Sequence, residues 1–594
     1  MRKSTSRQLN NPSVRLWVVF SGFLILAVLI IFRLFRIQVL QHKEYRKMAE
    51  DQYWNLQEIS PLRGTIYTSD GYVLAGAEYS YILYGEPNKV ENVGVLVEIL
   101  AQTVSESRKS EDKDEDELFN YYLERFDDLL NRDLYWVGLL RNITPIEKEK
   151  IEKLSLDGIG FEEEFARYYP ENTMAAHVLG FVASDEYGQK KGYYGIEGEL
   201  NEDLKGRPGR IVQELDATGA PILAGGYTKI APTQGRNVVL TINRAVQYII
   251  EKKIKKGVEE YNAVSGSIIV MDPKTGDIYA MANYPTYFPG NFSLEDEFVE
   301  ESPHRKQYER KNIALSNTYE PGSVMKPLTI SSAIDLKLIN PETTFEDNGP
   351  VWYSGYKIDN WDGKHYGTQN IIQLLQKSNN IGAAWVGHRI GSKRLHSYLD
   401  NFGMGEKTGI ELEGEDTGIL RDHKTWSDVA LANISFGQGI SATPLQVLNA
   451  FNAIANGGYL LEPKIISKLV DEDRETVLSS KLVRRVISKS TSDTLVDLLE
   501  KAAFGGEAKF FVLKNYRISG KTGTAQIPVG GKYDPKRTNA TFVGFMTKSK
   551  KFSMIVKLEE PQTSSYAAET SAPLWMETAT ELVKYFGLPP DKID

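Results

Sequence analysis

The pattern of apolar and polar positions opens on seventeen residues without a charge, Leu16 to Phe32 (LWVVFSGFLILAVLIIF), bracketed by Arg15 before and Arg33 and Arg36 after. As a helix rising about 1.5 Å per residue, the run covers roughly 25 Å. Snorkelling arginines with Leu34 and Phe35 extend it towards the roughly 30 Å of a hydrocarbon core. It predicts a membrane anchor. The alternatives are a cleaved signal peptide or a buried core helix, and no small-x-small cleavage site follows directly. Four basic residues (Arg2, Lys3, Arg7, Arg15) precede the run and five (Arg33, Arg36, Lys43, Arg46, Lys47) follow it, so charge leaves the orientation open.

From residue 40 to about 235, short strand signals mix with charged helical stretches. Glu106 to Glu117 is so rich in acids that it reads as a solvated loop or helix face. The texture changes at Asn237. Asn237 to Ile242 predicts a strand and Ala245 to Val258 an amphipathic helix. Ser267 to Met271 and Ile278 to Ala282 are strand-like, joined by the turn residues Asp272-Pro273-Lys274-Thr275-Gly276. Thr443-Pro444-Leu445-Gln446 is a capping box with proline at the first helical position, and Gly457-Gly458 closes that helix. Helices and strands alternate to the end with no repeat period. The expected organisation is a tail at 1–15, an anchor at 16–36, a mixed α/β domain at 37–235 and an α/β domain of catalytic size at 236–594.

Composition narrows the function. A net charge of −9 argues against a broad grip on nucleic acid. The 594 residues, 41% hydrophobic and 25% charged, suit two or more folded domains with real cores. With no cysteine, the chain cannot use a thiol nucleophile, a disulfide or a Cys-ligated zinc. Seven scattered histidines without an H-E-x-x-H pattern lead us to expect neither metal nor cofactor.

Three short patterns remain in the last domain: Ser323-Val324-Met325-Lys326, Ser378-Asn379-Asn380 and Lys521-Thr522-Gly523-Thr524. Each is weak alone. S-x-x-K recurs at Ser110 and Lys113 inside the acidic stretch, and K-T-G recurs at Lys274 and Lys407, where it looks like a turn. Ser323 differs in its setting. Pro321-Gly322 breaks the chain before an apolar helical run, so Ser323 sits at a helix start with Lys326 on the same face, and Pro327 is tolerated in the first turn. A serine hydroxyl needs a base, and a lysine serves if it is neutral. Its reference pKa near 10.4 must fall by about three units, roughly 4 kcal/mol. Burial, the positive helix end and a second ammonium such as Lys521 all push that way. The helix N-terminus and the backbone beside Gly523 offer N–H groups for an oxyanion, each worth about 2.7 to 4 kcal/mol in a transition state. Glycine at 523 would let a substrate backbone approach the strand, and Lys521, Thr522 and Thr524 can hold a carboxylate.

Competing chemistries are weaker. Gly520-Lys521-Thr522 mimics the end of a nucleotide-binding loop, but its first glycine would fall at Asn515. No G-x-S-x-G occurs. Glu162-Glu163-Glu164 reads as solvated surface rather than a glycosidase acid, and His177 as a packed residue rather than a ligand.

The trio resembles the active-serine penicilloyl transferases, the superfamily of penicillin-binding proteins and class A β-lactamases, in order and spacing. The likeness spreads over most of the chain. Arg63-Gly64-Thr65-Ile66, Asp70-Gly71, Leu74-Ala75, Arg167-Tyr168-Tyr169-Pro170, Ala176 to Gly180 and Gly195-Ile196-Glu197 are similar to the pedestal motifs of class B penicillin-binding proteins. Tyr319 to Ser323, Phe436-Gly437-Gln438-Gly439 and Thr443 to Gln446 resemble their transpeptidase domain. The chain departs from the family at Tyr67-Thr68-Ser69, where a charged Asp-Arg pair is commoner. Asn380, where many elongation-type members carry Asp, leans towards the division type.

The resemblance implies an α/β (α+β) transpeptidase domain with an antiparallel sheet between helices, an elongated mixed pedestal and one N-terminal transmembrane helix. It implies that Ser323 attacks the penultimate D-alanine carbonyl of a peptidoglycan stem peptide, and that β-lactams acylate the same serine. Lys326 would be the base, Ser378 a proton relay and Asn380 a contact to the peptide amide. Lys521, Thr522 and Thr524 would bind the terminal carboxylate, and the N–H groups of Ser323 and Thr524, with Gly523 between the threonines, would form the oxyanion hole. It further implies a single-pass protein of the bacterial cell membrane with an extracytoplasmic body, working with a SEDS-type glycosyltransferase and other cell-wall synthesis proteins. A β-lactam sensor or inactive scaffold, and a D,D-carboxypeptidase or β-lactamase, are the competing functions.

Overall fold

A computed structural model describes residues 12–108, 115–185, 189–214, 222, 227–291, 311–507, 513–530 and 532–591. The chain divides into two compact units, Met1–Pro61 with Arg207–Gln234, and Leu62–Gly206 with Gly235–Asp594. In the first, the apolar run lies within a helix, Pro12–Phe35, and its large apolar side chains are exposed throughout. Ser13–Leu40 is long and apolar enough to cross a membrane, and a helix apolar on every side suits either a fully buried core position or a membrane span. The same unit carries a three-stranded antiparallel sheet of Trp54–Ile59, Gly209–Glu214 and Tyr227–Ile230.

The second unit begins with β1 (Ile66–Tyr67), β2 (Val73–Gly85), α1 (Val93–Arg108), α2 (Glu115–Leu130), β3 (Val137–Ile143) and β4 (Ile159–Tyr168). Leu96, Leu100 and Val104 of α1 meet Tyr122 and Phe126 of α2 over β2 and β3, the i, i+4 spacing placing them on one face. The sequence then forms β5 (Asn237–Leu240), α3 (Arg244–Glu260), β6 (Ser265–Met271), β7 (Ile278–Tyr284), α4 (Lys326–Asp335), α5 (Ile371–Lys377), α6 (Asn380–Ile390), α7 (Pro444–Ala455), β8 (Ile466–Val470), β9 (Glu475–Val477), α8 (Lys489–Gly505), β10 (Ile518–Val529), β11 (Lys532–Met546), β12 (Ser553–Glu559) and α9 (Ser571–Tyr585). One sheet runs β9-β8-β5-β1-β2-β3, with β4 on β2. β5 pairs parallel with β1 and antiparallel with β8, so strands far apart in sequence share one ladder.

Beside that ladder, three motif residues meet. Arg63 Nε and Arg167 Nε each donate to the fully buried Glu197 carboxylate at 2.6 Å, and Arg167 Nη1 donates to Gly64 O at 2.8 Å. Where the family's charged pair is missing, Thr68 is buried and its hydroxyl oxygen accepts from the Tyr72 N–H at 2.9 Å, closing the turn between β1 and β2.

The second sheet, β7-β6-β12-β11-β10, is antiparallel throughout. Its strands alternate between two cores. Ile268 and Val270 of β6 face α3 and α9, while Ile269 and Met271 face α4, α7 and α8. This is the expected antiparallel sheet between helices. The sequence-predicted strand at 237–242, helix at 245–258, hairpin at 267–282 and capped helix at 443–458 all form within a residue or two. Thr443 accepts from Gln446 N while the Gln446 side chain takes the Thr443 N–H. The acidic stretch is described only at its flanks, since residues 109–114, with Ser110 and Lys113, lie outside the described residues.

Candidate active site

Ser323 lies one turn earlier than an α-helical start. Gly322–Met325 forms a 3-10 turn, and α4 begins at Lys326 with Pro327 in its first turn, where a missing N–H costs no helical bond. The tighter turn leaves Ser323 partly exposed and Lys326 fully buried beneath it. Gly322 has a φ of +61°, and its N–H donates to Gly437 O at 3.0 Å. A Cβ at Gly437 would fall 2.1 Å from Gly322 O, so the F-G-Q-G stretch is the bed on which the serine turn rests.

Lys326 Nζ lies 3.0 Å from Ser323 Oγ, 2.5 Å from Ser378 O, 2.8 Å from Asn380 Oδ1 and 3.3 Å from Ser378 Oγ. Two of those partners are carbonyl oxygens that only accept, so they fix two N–H bonds and aim the remaining position at the hydroxyls. Burial, then the neighbouring Lys521 charge, pushes the amine well below its ordinary pKa; Glu507 opposes them. A neutral Lys326 turns a lone pair to the Ser323 hydroxyl.

Ser378 ends α5 in the left-handed region at φ +53°, an uncommon conformation for a residue with a Cβ, and so turns its carbonyl to Lys326. Asn379 points away from the cleft. Its side chain accepts from Gly382 N at 2.7 Å, capping α6, and donates to Asp347 Oδ2 at 2.6 Å. Asn380 is held from the other side, its Nδ2 donating to Asp359 O at 3.1 Å. The fully buried Asp347 carboxylate also accepts from Asn360 Nδ2 at 3.0 Å and Tyr366 N at 3.1 Å, and Asn360 Oδ1 accepts from Asn380 N at 3.0 Å. Asp347 thereby holds the Ser378–Asn380 turn in register with Lys326.

The third motif lies on β10, the edge strand, which leaves a row of backbone groups for an added strand. The strand's alternation sorts the motif. Thr522, Thr524 and Gln526 line a cleft of about 900 Å³ together with Ser323, Ser378 and Asn380, while Lys521 lies buried behind Thr522. Lys521 Nζ donates to Thr522 Oγ1 at 3.0 Å, and burial lowers its pKa against the pull of Glu507. Thr524 Oγ1 accepts from Ala567 N at 3.0 Å, leaving its hydroxyl hydrogen for an anion. Gly523 has a different reason from the one the sequence suggests. A Cβ there would meet Pro321 O at 2.7 Å and Val324 Cγ1 at 2.8 Å, so glycine is needed for β10 to close on the serine turn rather than for a substrate to approach.

All eight sequence-predicted residues therefore converge on one cleft wall or directly behind it. Sequence reasoning missed Asp347, Asn360 and Glu507, which belong to no motif and reach the site only through the fold. The other candidates stay apart. Lys274 to Gly276 is the β6–β7 turn, and Lys407 to Gly409 lies in a loop. Glu162 and Glu163 are exposed, and the buried His177 packs edge-on against Tyr287. Among the described residues no cluster suits a metal ion.

A serine hydroxyl over a buried amine, a second hydroxyl beside that amine and an edge strand along the same cleft are the arrangement of the penicillin-interacting serine acyltransferases. Residues 266–578 match the penicillin-binding protein transpeptidase domain and residues 58–240 the penicillin-binding protein dimerisation domain, so the chain belongs to the penicillin-binding protein transpeptidase family. It is 29% identical to stage V sporulation protein D of Bacillus subtilis over 98% of this chain and 88% of that protein. It is 27% identical to the peptidoglycan D,D-transpeptidase FtsI of Escherichia coli, over 94% of this chain and 89% of that protein. Among solved structures it is similar to a peptidoglycan synthetase from Bifidobacterium adolescentis, with a TM-score of 0.69 and 25% identity, covering 91% of this chain and 98% of that one.

Proposed function

We propose that this chain cross-links peptidoglycan stem peptides as a serine D,D-transpeptidase of the division type, with Ser323 as nucleophile and Lys326 as its base. The observation that carries the reading is the buried Lys326 amine, 3.0 Å from Ser323 Oγ and held by two carbonyl acceptors. Ser323 Oγ bonds to the penultimate D-alanine carbonyl carbon as its proton passes to Lys326. The C–N bond to the terminal D-alanine then breaks, and that amine leaves with a proton relayed through Ser378. The amine of a second stem peptide attacks the acyl ester, gives up a proton to Lys326, and returns Ser323 as a hydroxyl. Lys521, Thr522 and Thr524 hold the donor's terminal carboxylate, and the Ser323 and Thr524 N–H groups hold the oxyanion. Asn380 positions Lys326 and offers its second Nδ2 hydrogen to the donor peptide.

β-Lactams enter the same cleft as mimics of the donor and acylate Ser323. The reading extends to the whole chain: a cytoplasmic tail at 1–15, one span at 16–36, a pedestal at 37–235 and an extracytoplasmic transpeptidase domain at 236–594, working beside a SEDS-type glycosyltransferase. The apolar helix and the FtsI likeness support a membrane-bound division enzyme. The test is labelling of the full chain in detergent by a fluorescent penicillin, against Ser323→Ala. Labelling lost in the variant supports the nucleophile, and a folded parent that fails to label refutes it. Cross-linked dimer formed with an acceptor amine supports transfer, whereas shortened tetrapeptide alone assigns the chain to hydrolysis.

A further inference from the structure

The carboxylate subsite already faces a carboxylate. Glu507, just past the end of α8, lines the same cleft as Ser323 and Thr524. Its Oε2 accepts a hydrogen bond from Thr522 Oγ1 and lies 3.8 Å from Lys521 Nζ. Lys521 is 4% exposed and Glu507 23%, so the cation is fixed and shielded while the anion stands at the solvent side of the pair. Among the described residues, no other carboxylate is within 4 Å of Lys521 Nζ.

We infer that Glu507 is a built-in competitor for the donor's carboxylate, occupying Thr522 and Lys521 until a substrate or β-lactam anion displaces it. The inference rests on the reading of Lys521, Thr522 and Thr524 as the carboxylate subsite. Its basis is charge and connectivity. Thr522 Oγ1 has a single hydrogen and Glu507 uses it, so an incoming carboxylate gains that bond only by breaking the internal one. Two carboxylates sharing one ammonium also repel each other. Thr524 is left open to the incoming anion, since its hydroxyl accepts from Ala567 N but donates to no described group. Binding therefore starts at Thr524 and is completed at Thr522 once Glu507 leaves. The consequence is selectivity. A weakly held anion cannot displace Glu507, whereas a donor that also lies along β10 and fills the cleft can.

The experiment measures second-order acylation rates of the full chain in detergent for two probes, a penicillin with its ring carboxylate free and the methyl ester of the same penicillin. Glu507→Gln and Glu507→Ala are compared with the parent and with Glu507→Asp. Releasing one charge-assisted hydrogen bond corresponds to a rise of about tenfold or more in the acid-to-ester rate ratio, the ester reading out whatever the lost charge does to the Lys326 base, with Glu507→Asp close to the parent. Acid and ester rates moving together, no change in either, or a fall in their ratio in folded Glu507→Gln and Glu507→Ala each overturns the inference. A folded parent that labels with neither probe overturns the serine reading itself. A labelled parent with an unchanged acid-to-ester ratio in the variants overturns only the role of Glu507.

Discussion

Replacing Lys326 by methionine tests the catalytic reading most directly, because methionine keeps an unbranched chain of similar reach in a fully buried slot while removing the base. At an ordinary pKa near 10.4, only about one lysine in 2,500 is neutral at pH 7, and each unit of depression raises that share about tenfold. Burial and Lys521 supply that depression here. Loss of a positioned general base costs about a hundredfold to ten-thousandfold in rate, or roughly 2.7 to 5.5 kcal/mol of barrier. Methionine also strips the donor from Ser378 O and Asn380 Oδ1, and an orphaned buried acceptor costs about 1 to 3 kcal/mol. Stopped-flow acylation by a chromogenic β-lactam, scaled to the folded fraction from a thermal melt, separates rate from stability. The neutral amine is the active form, so the parent's rate falls as pH drops through the lowered pKa, while the variant lacks that limb. A folded variant acylating within about threefold of the parent, far short of the expected loss, refutes the assignment.

Three further outcomes follow from particular contacts. Asp347→Ala takes the acceptor from the buried Asn379 Nδ2 and from Tyr366 N, and leaves Asn360 Nδ2 with Lys364 O alone; a loss of about 3 kcal/mol or more in denaturant unfolding is expected, with acylation slowed in the fraction that stays folded. Glu197→Ala uncovers Arg63 and Arg167 together and is expected to cost about 3 to 5 kcal/mol, read as a lower urea midpoint with the unfolding slope unchanged. Glu251, which accepts from Ala175 N at 2.7 Å, is pushed up to about 7 by burial. Its folded pKa lies above the unfolded value, so the folded protein binds the extra proton. Stability falls as pH rises from about 4.5 to 7, by up to about 3 kcal/mol. Glu251→Gln should flatten that loss in melts at pH 5 and pH 8, and identical slopes in parent and variant would contradict it.

The recurring motifs converge for different physical reasons, and only some of those reasons are visible in one dimension. Ser323 and Lys326 are close because they share a turn, which their spacing already states. The chain could not state that Ser378 and Asn380 would complete the amine's shell, since that depends on a left-handed Ser378 and on Asp347, which lies 31 residues before it. Gly523 shows how a correct residue can carry the wrong reason. A glycine in a strand signals a close approach, but whether to a substrate or to the protein's own Pro321 is decided by packing.

By itself, the sequence determined what local patterning encodes: the apolar helix, the strands and capped helices after Asn237, the absence of thiol chemistry, and the motif residues with their family. Period and capping act over a few residues, so they survive translation into structure. Only the tertiary structure decided that β5 joins the ladder of β1, that Arg63, Arg167 and Glu197 form one buried ionic group, and that Glu507 faces Lys521. Those are meetings of residues from 14 to 172 positions apart, set by how layers stack around shared cores. The free energy that fixes them comes from burial and hydrogen bonds that exist only once those layers have met.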